Sequence, residues 1–217
     1  MGLWARVVQP RLLDATLGTS QTGGVRQRVC AGMVGDVVEI GYGSGHNQPY
    51  LPPGVTGVWA VDPSGGAFAL SAARRAASPV PVVRTEAVAE RLPFPDDRFD
   101  AALSTWTLCA TDDPAAVLAE LARVLRPGGV LHLVEHGLAE EASVVRWQRR
   151  GNGLNKRIAG CVLDRDVRGL LQASPLTVTA LTTWYEEGAP RPAGFMYEGR
   201  AVAWADATPG HLSAGSC

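Results

Sequence analysis

Val37 to Gly45 reads Val-Val-Glu-Ile-Gly-Tyr-Gly-Ser-Gly. The β-branched run ending in Glu39 and Ile40 is strand-like, whereas three glycines at alternate positions leave the next stretch almost bare of side chains. Such a junction suits a buried strand that turns sharply into a loop, where a ligand can lie against the main chain and meet amide donors at a following helix start. In open doubly wound sheets, ligands bind outside the carboxyl ends of the strands, where strand order reverses. The stretch therefore points to an α/β fold with the ligand at this loop.

The remaining chain agrees with that reading. Short apolar strands are expected at Asp36–Gly41, Gly57–Asp62, Val80–Glu86, Phe99–Trp106 and Gly129–His136. Ala-rich or amphipathic segments alternate with them, which indicates a largely parallel sheet covered on both faces. The helix after the fourth strand is well marked: Asp113 caps it, Pro114 suits its first turn, and Val117, Leu118, Leu121, Val124 and Leu125 form one face. Pro127-Gly128-Gly129 is expected to end it. Leu3, Val7, Val8, Leu12 and Leu13 follow helical spacing, with Pro10 dividing the segment, and Thr19–Gly24 should break the chain before a second helix from Val25 to Met33. Two alternating strands near the end, Leu176–Glu187 and Gly194–Ala205, suggest an antiparallel hairpin at one sheet edge. The expected organisation is a helical cover at 1–34, an α/β domain at 35–207 with a helical lid or acceptor segment at 138–173, and a flexible tail at 208–217.

Composition narrows the setting. A formal net charge of −1 gives no electrostatic footprint for nucleic acid or anionic lipid. Nineteen arginines against the single Lys156 resemble the bias of high-GC bacterial genomes. Cys30, Cys109, Cys161 and Cys217 show no pair at metal-ligand spacing, so neither a disulfide framework nor a metal is expected, and reduced thiols fit a cytoplasmic chain. No run is apolar enough for a signal peptide or a membrane span. Nothing in the sequence bears on oligomeric state.

Spacing then selects the ligand. Dinucleotide-binding loops use G-x-G-x-x-G, whereas Gly41, Gly43 and Gly45 give G-x-G-x-G with His46 next. Asp62 ends the second strand, where a carboxylate can accept both hydroxyls of a ribose; its structural alternative is a helix cap, a task Ser64 could take. At 35–136 the chain resembles the class I S-adenosylmethionine-dependent methyltransferases, through "VVEIGYGSG", "VWAVDPS", "AERLPFPDDRFDAALS" and "VLRPGGVLHLVEH" in order. With "STWTLC", "WQRR" and "GAPRPAGFMYEG" it is similar to bacterial relatives of the eukaryotic alkyl-thiol methyltransferases. The resemblance implies a Rossmann-like three-layer sandwich: a seven-stranded, mostly parallel sheet with one antiparallel strand near the edge. It further implies that Glu39, Gly41, Tyr42, Gly43 and Gly45 line the methionine part of S-adenosyl-L-methionine. Asp62, with Pro63 beside it, would hold the ribose, Ala89 and Glu90 would flank the adenine, and Thr105 and Trp106 would stand near the sulfonium. Tyr42 replaces a frequent Cys or Phe, Val88 stands where many relatives carry an acid, and the membrane anchor of the eukaryotic branch is not seen.

The expected reaction is methylation of a small-molecule acceptor, a thiol first, yielding S-adenosyl-L-homocysteine. Oxygen, nitrogen or carbon acceptors are the alternatives, followed by an NAD-dependent oxidoreductase and a cofactor-binding protein without turnover. No nucleic-acid or membrane partner is expected. Methyl transfer is dominated by positioning; a base is optional, and a thiol needs one least. His136 at the end of the fifth strand, His46 after the glycine loop and Trp106 are the candidates for touching or deprotonating the acceptor. His132, in mid-strand, reads as a core histidine, Glu135 as structural, and Cys109 as a small buried hydrophobe. Trp106, Trp147, Trp184 and Tyr185 could together make an apolar acceptor pocket.

Overall fold

The computed structural model describes residues 9–204; residues 1–8 of the expected helical cover and the tail expected at 208–217 lie outside them. Two helices come first, α1 (Gln9–Leu17) and α2 (Ser20–Cys30). Pro10 stands in the first turn of α1, where its missing N–H removes no helical bond. The break expected at Thr19–Gly24 is confined to Gly18 and Thr19. Thr19 caps α2, its Oγ1 accepting from the Thr22 amide at 3.4 Å, and the helix runs through both glycines. Gly23 is there for proximity: a Cβ on it would come 2.6 Å from the Tyr50 hydroxyl. A packing requirement has overridden helix propensity.

Strand and helix then alternate through β1 (Gly35–Ile40), β2 (Val55–Val61), α3 (Gly65–Leu70), α4 (Ala72–Ala76), β3 (Val82–Thr85), β4 (Phe99–Thr105), α5 (Pro114–Val124) and β5 (Leu125–His136). Asp113 caps α5 as expected, Oδ1 accepting from Ala116 N at 3.0 Å. Val117, Leu118, Leu121 and Val124 of α5 are fully buried, each such side chain contributing about 1.5–3 kcal/mol. Pro127-Gly128-Gly129 does not stop the helix, which ends at Val124, and Leu125, expected on its apolar face, is already extended as the first residue of β5. β5 already pairs Leu125 with Phe99, then shifts register before Val130 meets Ala101, so the Pro-Gly-Gly tract forms the irregularity, with Gly128 at φ +83°.

The segment expected to be helical at 138–173 is two helices, α6 (Ala142–Ile158) and α7 (Val167–Ala173). Gly160, at φ +84°, ends the first in a left-handed conformation, and Asp166 caps the second through the Gly169 amide at 2.9 Å. The chain closes with the expected hairpin, β6 (Thr177–Tyr185) and β7 (Phe195–Val202).

The seven strands run in the order β3-β2-β1-β4-β5-β7-β6, parallel except for β7, which is antiparallel to both neighbours. Alternate residues of each strand feed opposite cores. Val38, Ile40, Leu131 and Leu133 join α5 and α7 on one face, while Val37, Leu103 and Val134 join Val25, Val29 and Cys30 of α2 on the other. His132 is indeed a core residue: its Nδ1–H donates to Val29 O at 2.8 Å, tying β5 to α2, and burial pulls it down to about 4, so it is neutral near pH 7. Strand order reverses between β1 and β4, placing the ligand crevice at their carboxyl ends. No helix among the described residues is long and apolar enough to cross a membrane.

Candidate functional site

A cavity of about 370 Å³ opens at that crevice. Its walls come from the glycine loop after β1 (Gly41, Tyr42, Gly43, Ser44, His46, Asn47), the turn after β2 (Asp62, Pro63, Ser64), the end of β4 (Thr105, Trp106, Thr107), Asp14 and Arg26 from the N-terminal helices, and Ala159 and Gly160 after α6.

The loop conformation explains its glycines. Gly41 has φ +63°, and a Cβ there would strike Thr107 Oγ1 at 2.2 Å. Gly43 has φ +56°, yet a Cβ there would meet nothing nearer than Gly41 O at 3.7 Å, so its half-buried, cavity-lining backbone is free for close approach. Asp62 holds this loop in place. Its Oδ2 accepts from Gly43 N at 2.8 Å and its Oδ1 from Ser64 N at 2.7 Å. Ser64, not Asp62, caps α3 by accepting from Ala67 N at 3.2 Å. Burial raises the Asp62 carboxyl, with the two amides pulling it back. Each oxygen keeps a second lone-pair site for a ligand hydroxyl.

Beneath the loop lies a buried polar chain that sequence reasoning missed in part. Arg26 Nη1 donates to Asn47 Oδ1 at 2.6 Å, and Asn47 Nδ2 donates to Glu39 Oε1 at 2.8 Å and Thr105 Oγ1 at 3.0 Å. Glu39 is fully enclosed, lies outside the residues that line the cavity, and its Oε2 has no hydrogen-bond partner among the described residues. Burial pushes its carboxyl up to about 7, against the pull of Asn47 and Arg26. Burial likewise lowers Arg26, to about 10, which leaves the guanidinium charged near neutrality. That guanidinium sits 4.7 Å from the Trp106 ring centroid. Trp106 itself has φ +52°, a backbone conformation rare outside glycine and concentrated at functional sites. Arg26, in the polar segment Ser20–Cys30, carries no signal in the sequence, and Asn47 is marked only as an amide following the loop.

His46 faces the same cavity, with Nε2 2.9 Å from Asp14 Oδ1, which also meets Arg74 Nη1 at 3.0 Å. Burial, then Arg74 and Arg26, lower its pKa below the usual histidine value, with Asp14 opposing. It is therefore mainly neutral near pH 7.

Other expected members stand elsewhere. Gly45 packs inward, where a Cβ would meet the Tyr42 hydroxyl at 2.7 Å. Ala89 belongs to the buried cluster with Val61 and Leu92, and neither it nor Glu90 lines the cavity. His136 is also absent from the lining, because β5 carries it past the cavity to Cys109, with Nδ1 3.9 Å from Sγ. Nor does the aromatic acceptor pocket assemble. Trp147 is 61% exposed on α6, Trp184 Nε1 donates to Glu186, Tyr185 donates to Glu141, and only Trp106 of the four reaches the cavity. Hydrophobicity alone could not tell an outward-facing tryptophan from a pocket wall.

The residues present fit S-adenosylmethionine. A carboxylate oxygen with no donor among the described residues, a buried guanidinium and a cavity-lining glycine backbone suit a zwitterionic amino-acid group, and Asp62 suits a diol.

Comparison with known proteins agrees. Residues 38–133 match the family model described as a methyltransferase domain. The chain is similar to the demethylmenaquinone methyltransferase of Mycolicibacterium paratuberculosis, 44% identical over 89 residues, spanning 40% of this chain and 36% of that protein. It is also similar to a thiol S-methyltransferase of Rattus norvegicus, 32% identical over 135 residues, spanning 60% of this chain and 55% of that one. The matched stretch thus covers from about a third to about half of these curated relatives. The fold superposes on geranyl diphosphate C-methyltransferase from Streptomyces coelicolor A3(2), solved with S-adenosyl-L-homocysteine, at TM-score 0.66 and 13% identity, over 84% of this chain and 77% of that one. The glycine loop, the strand order and the matched segment at 38–133 all agree with a methyltransferase domain.

Proposed function

We propose that this protein transfers a methyl group from S-adenosylmethionine to a small-molecule thiol. The observation that carries the methyl-transfer reading is the pairing, at one cavity, of the Asp62-braced glycine loop with Arg26 and Asn47, behind which Asn47 holds the buried Glu39. The thiol is supported by the rat relative's name, and by a cavity whose lining histidine, His46, is lowered rather than raised in pKa. The bound cofactor supplies an electrophilic methyl carbon on a sulfonium. The protein's own part is positioning. Glu39 Oε2 takes the ammonium of the cofactor's amino-acid end, Arg26 meets its carboxylate, and Asp62 accepts from the ribose hydroxyls. Trp106 walls the reacting side with its ring, and His46, oriented by Asp14, accepts the acceptor's proton where the acceptor arrives as a thiol. Holding the two reactants in line is worth about 7–11 kcal/mol, far more than a base contributes.

Release of S-adenosyl-L-homocysteine should be measured with an aromatic thiol, the corresponding phenol and the corresponding amine. Turnover is expected on the thiol. Turnover on the phenol or amine alone rejects the thiol. The menaquinone relative supports a second reading, in which the nucleophile is a quinol ring carbon. A reduced naphthoquinone in the same assay tests it.

Glu39 gives a pH signature. Its folded-state pKa is raised, so the free protein holds a proton there below about pH 7 and must lose it to pair with an ammonium. Affinity for S-adenosylhomocysteine is therefore expected to rise about tenfold from pH 6 to pH 8. By the same linkage, Glu39 withdraws stability from the free protein as pH climbs from the unfolded carboxyl value towards 7. Calorimetry should show the rise, and Glu39→Gln should flatten it; a flat wild-type profile removes Glu39 from the cofactor contact.

A further inference from the structure

Behind the cavity wall formed by Ala110 and Gly160, three side chains converge that methyl transfer does not use. Cys109 lies on the turn after β4, His136 ends β5, and Cys161 follows α6. One ligating atom from each lies within 4.8 Å of the other two, and Cys109 Sγ is 3.9 Å from His136 Nδ1. A tetrahedral zinc ion, with bonds of about 2.3 Å to sulfur and about 2.0–2.1 Å to nitrogen, holds two sulfurs about 3.8 Å apart and a sulfur and a nitrogen about 3.6 Å apart. Shifts of about 1 Å or less would close the cluster onto such an ion.

The three groups are held in place by neighbours. Glu135 accepts from the amides of Thr107, Leu108 and Cys109 at 3.0, 3.0 and 3.2 Å, which fixes the turn that presents Cys109. Asn155 Nδ2 donates to Cys161 O at 2.9 Å and to Cys161 Sγ at 3.2 Å. Val162 N donates to Cys109 O at 2.9 Å, pinning the two cysteine-bearing segments together. Such outer contacts orient metal ligands.

We propose that Cys109, His136 and Cys161 form a three-ligand site for a thiophilic transition-metal ion, zinc(II) first, with the fourth position left to water or an exogenous thiolate. Two sulfurs and an imidazole suit zinc and exclude magnesium and calcium, which take oxygen ligands. A disulfide between the cysteines would leave the approach of His136 without a purpose. On loading, two Zn–S bonds and one Zn–N bond form, each thiol proton passes to solvent, and nothing is oxidised. The ion would cross-link the turn after β4 to the segment after α6. Ala110 and Gly160, next to two of the ligands, both line the cavity, so the metal would stiffen that wall whatever the methyl acceptor is.

The test uses the full chain, stripped of metal and kept reduced with a phosphine. Titration with zinc against a chromophoric chelator should show one ion per chain. Cys109→Ser, Cys161→Ser and His136→Ala should each weaken it by about 100-fold, and Asn155→Ala by about tenfold. Cys30→Ala, in the opposite core, should change nothing. Binding of S-adenosylhomocysteine reports whether each variant is folded. Should a variant fail that check, cobalt(II) added to the unaltered protein decides the matter through its thiolate-to-metal charge-transfer absorption. Zinc binding no tighter in the native chain than in the Cys109→Ser variant, a cobalt spectrum without thiolate bands, or oxidative loss of both thiols as the only chemistry seen would each overturn the proposal.

Discussion

Asp62→Ala should weaken binding of S-adenosylhomocysteine about 100-fold or more, to the edge of detection in calorimetry. Two losses combine. The ribose loses a charged acceptor, worth roughly 1.5–3 kcal/mol, and the amides of Gly43 and Ser64 lose the carboxylate that sets the loop. Together these reach the roughly 3 kcal/mol that a hundredfold change requires. Asp62→Asn, which keeps one acceptor oxygen and the side-chain volume, should fall between the two. Unchanged affinity in Asp62→Ala would defeat the ribose assignment. A loss shared equally by Asp62→Asn would show that loop geometry, not the diol contact, dominates.

Glu135→Ala should cost about 4 kcal/mol of stability, lowering the melting temperature by roughly 10 °C for a chain of this size. The carboxylate is completely buried and receives four donors: Ser104 Oγ at 2.7 Å and the three amides of the turn from Thr107 to Cys109. Alanine leaves all four donors without their acceptor. Burial raises the pKa of Glu135, so its ionisation costs stability that returns as pH falls towards the unfolded carboxyl value. Denaturant titration at pH 7 checks the size of the loss. A change under about 1 kcal/mol would mean that the turn finds other acceptors and that Glu135 is dispensable to it.

The two substitutions differ in how visible their targets were beforehand. Asp62 could be placed by eye, because a strand, an acid and a glycine loop at fixed spacing are local features, each legible within a few residues. The same holds for the caps at Asp113 and Ser64 and for the final hairpin. Glu135 showed only as an acid beside an apolar strand; its four donors come from β4 and the turn behind it, brought close by strand pairing. Arg26 was hidden for the same reason, since nothing in α2 announces that the helix packs over the end of β4 and reaches Asn47.

The misplaced residues carry the same lesson. His136 stands at the carboxyl end of a central strand, the right address for a ligand, but the direction of β5 sends its ring to Cys109. Trp147 has the composition of a pocket wall and points away from the protein. Cys109 and Cys161 show no motif because their distance in sequence carries no information once α6 folds back over the sheet. Local chemistry, read in order along the chain, was enough to specify the α/β fold and the glycine loop, since strand period, turn residues and caps act over neighbouring positions; the class of cofactor rested on the resemblance of four segments to a methyltransferase family. Which polar side chains lie under that loop, and which thiols meet a histidine behind it, depends on how separate elements pack, and that is set by burial across the whole sheet.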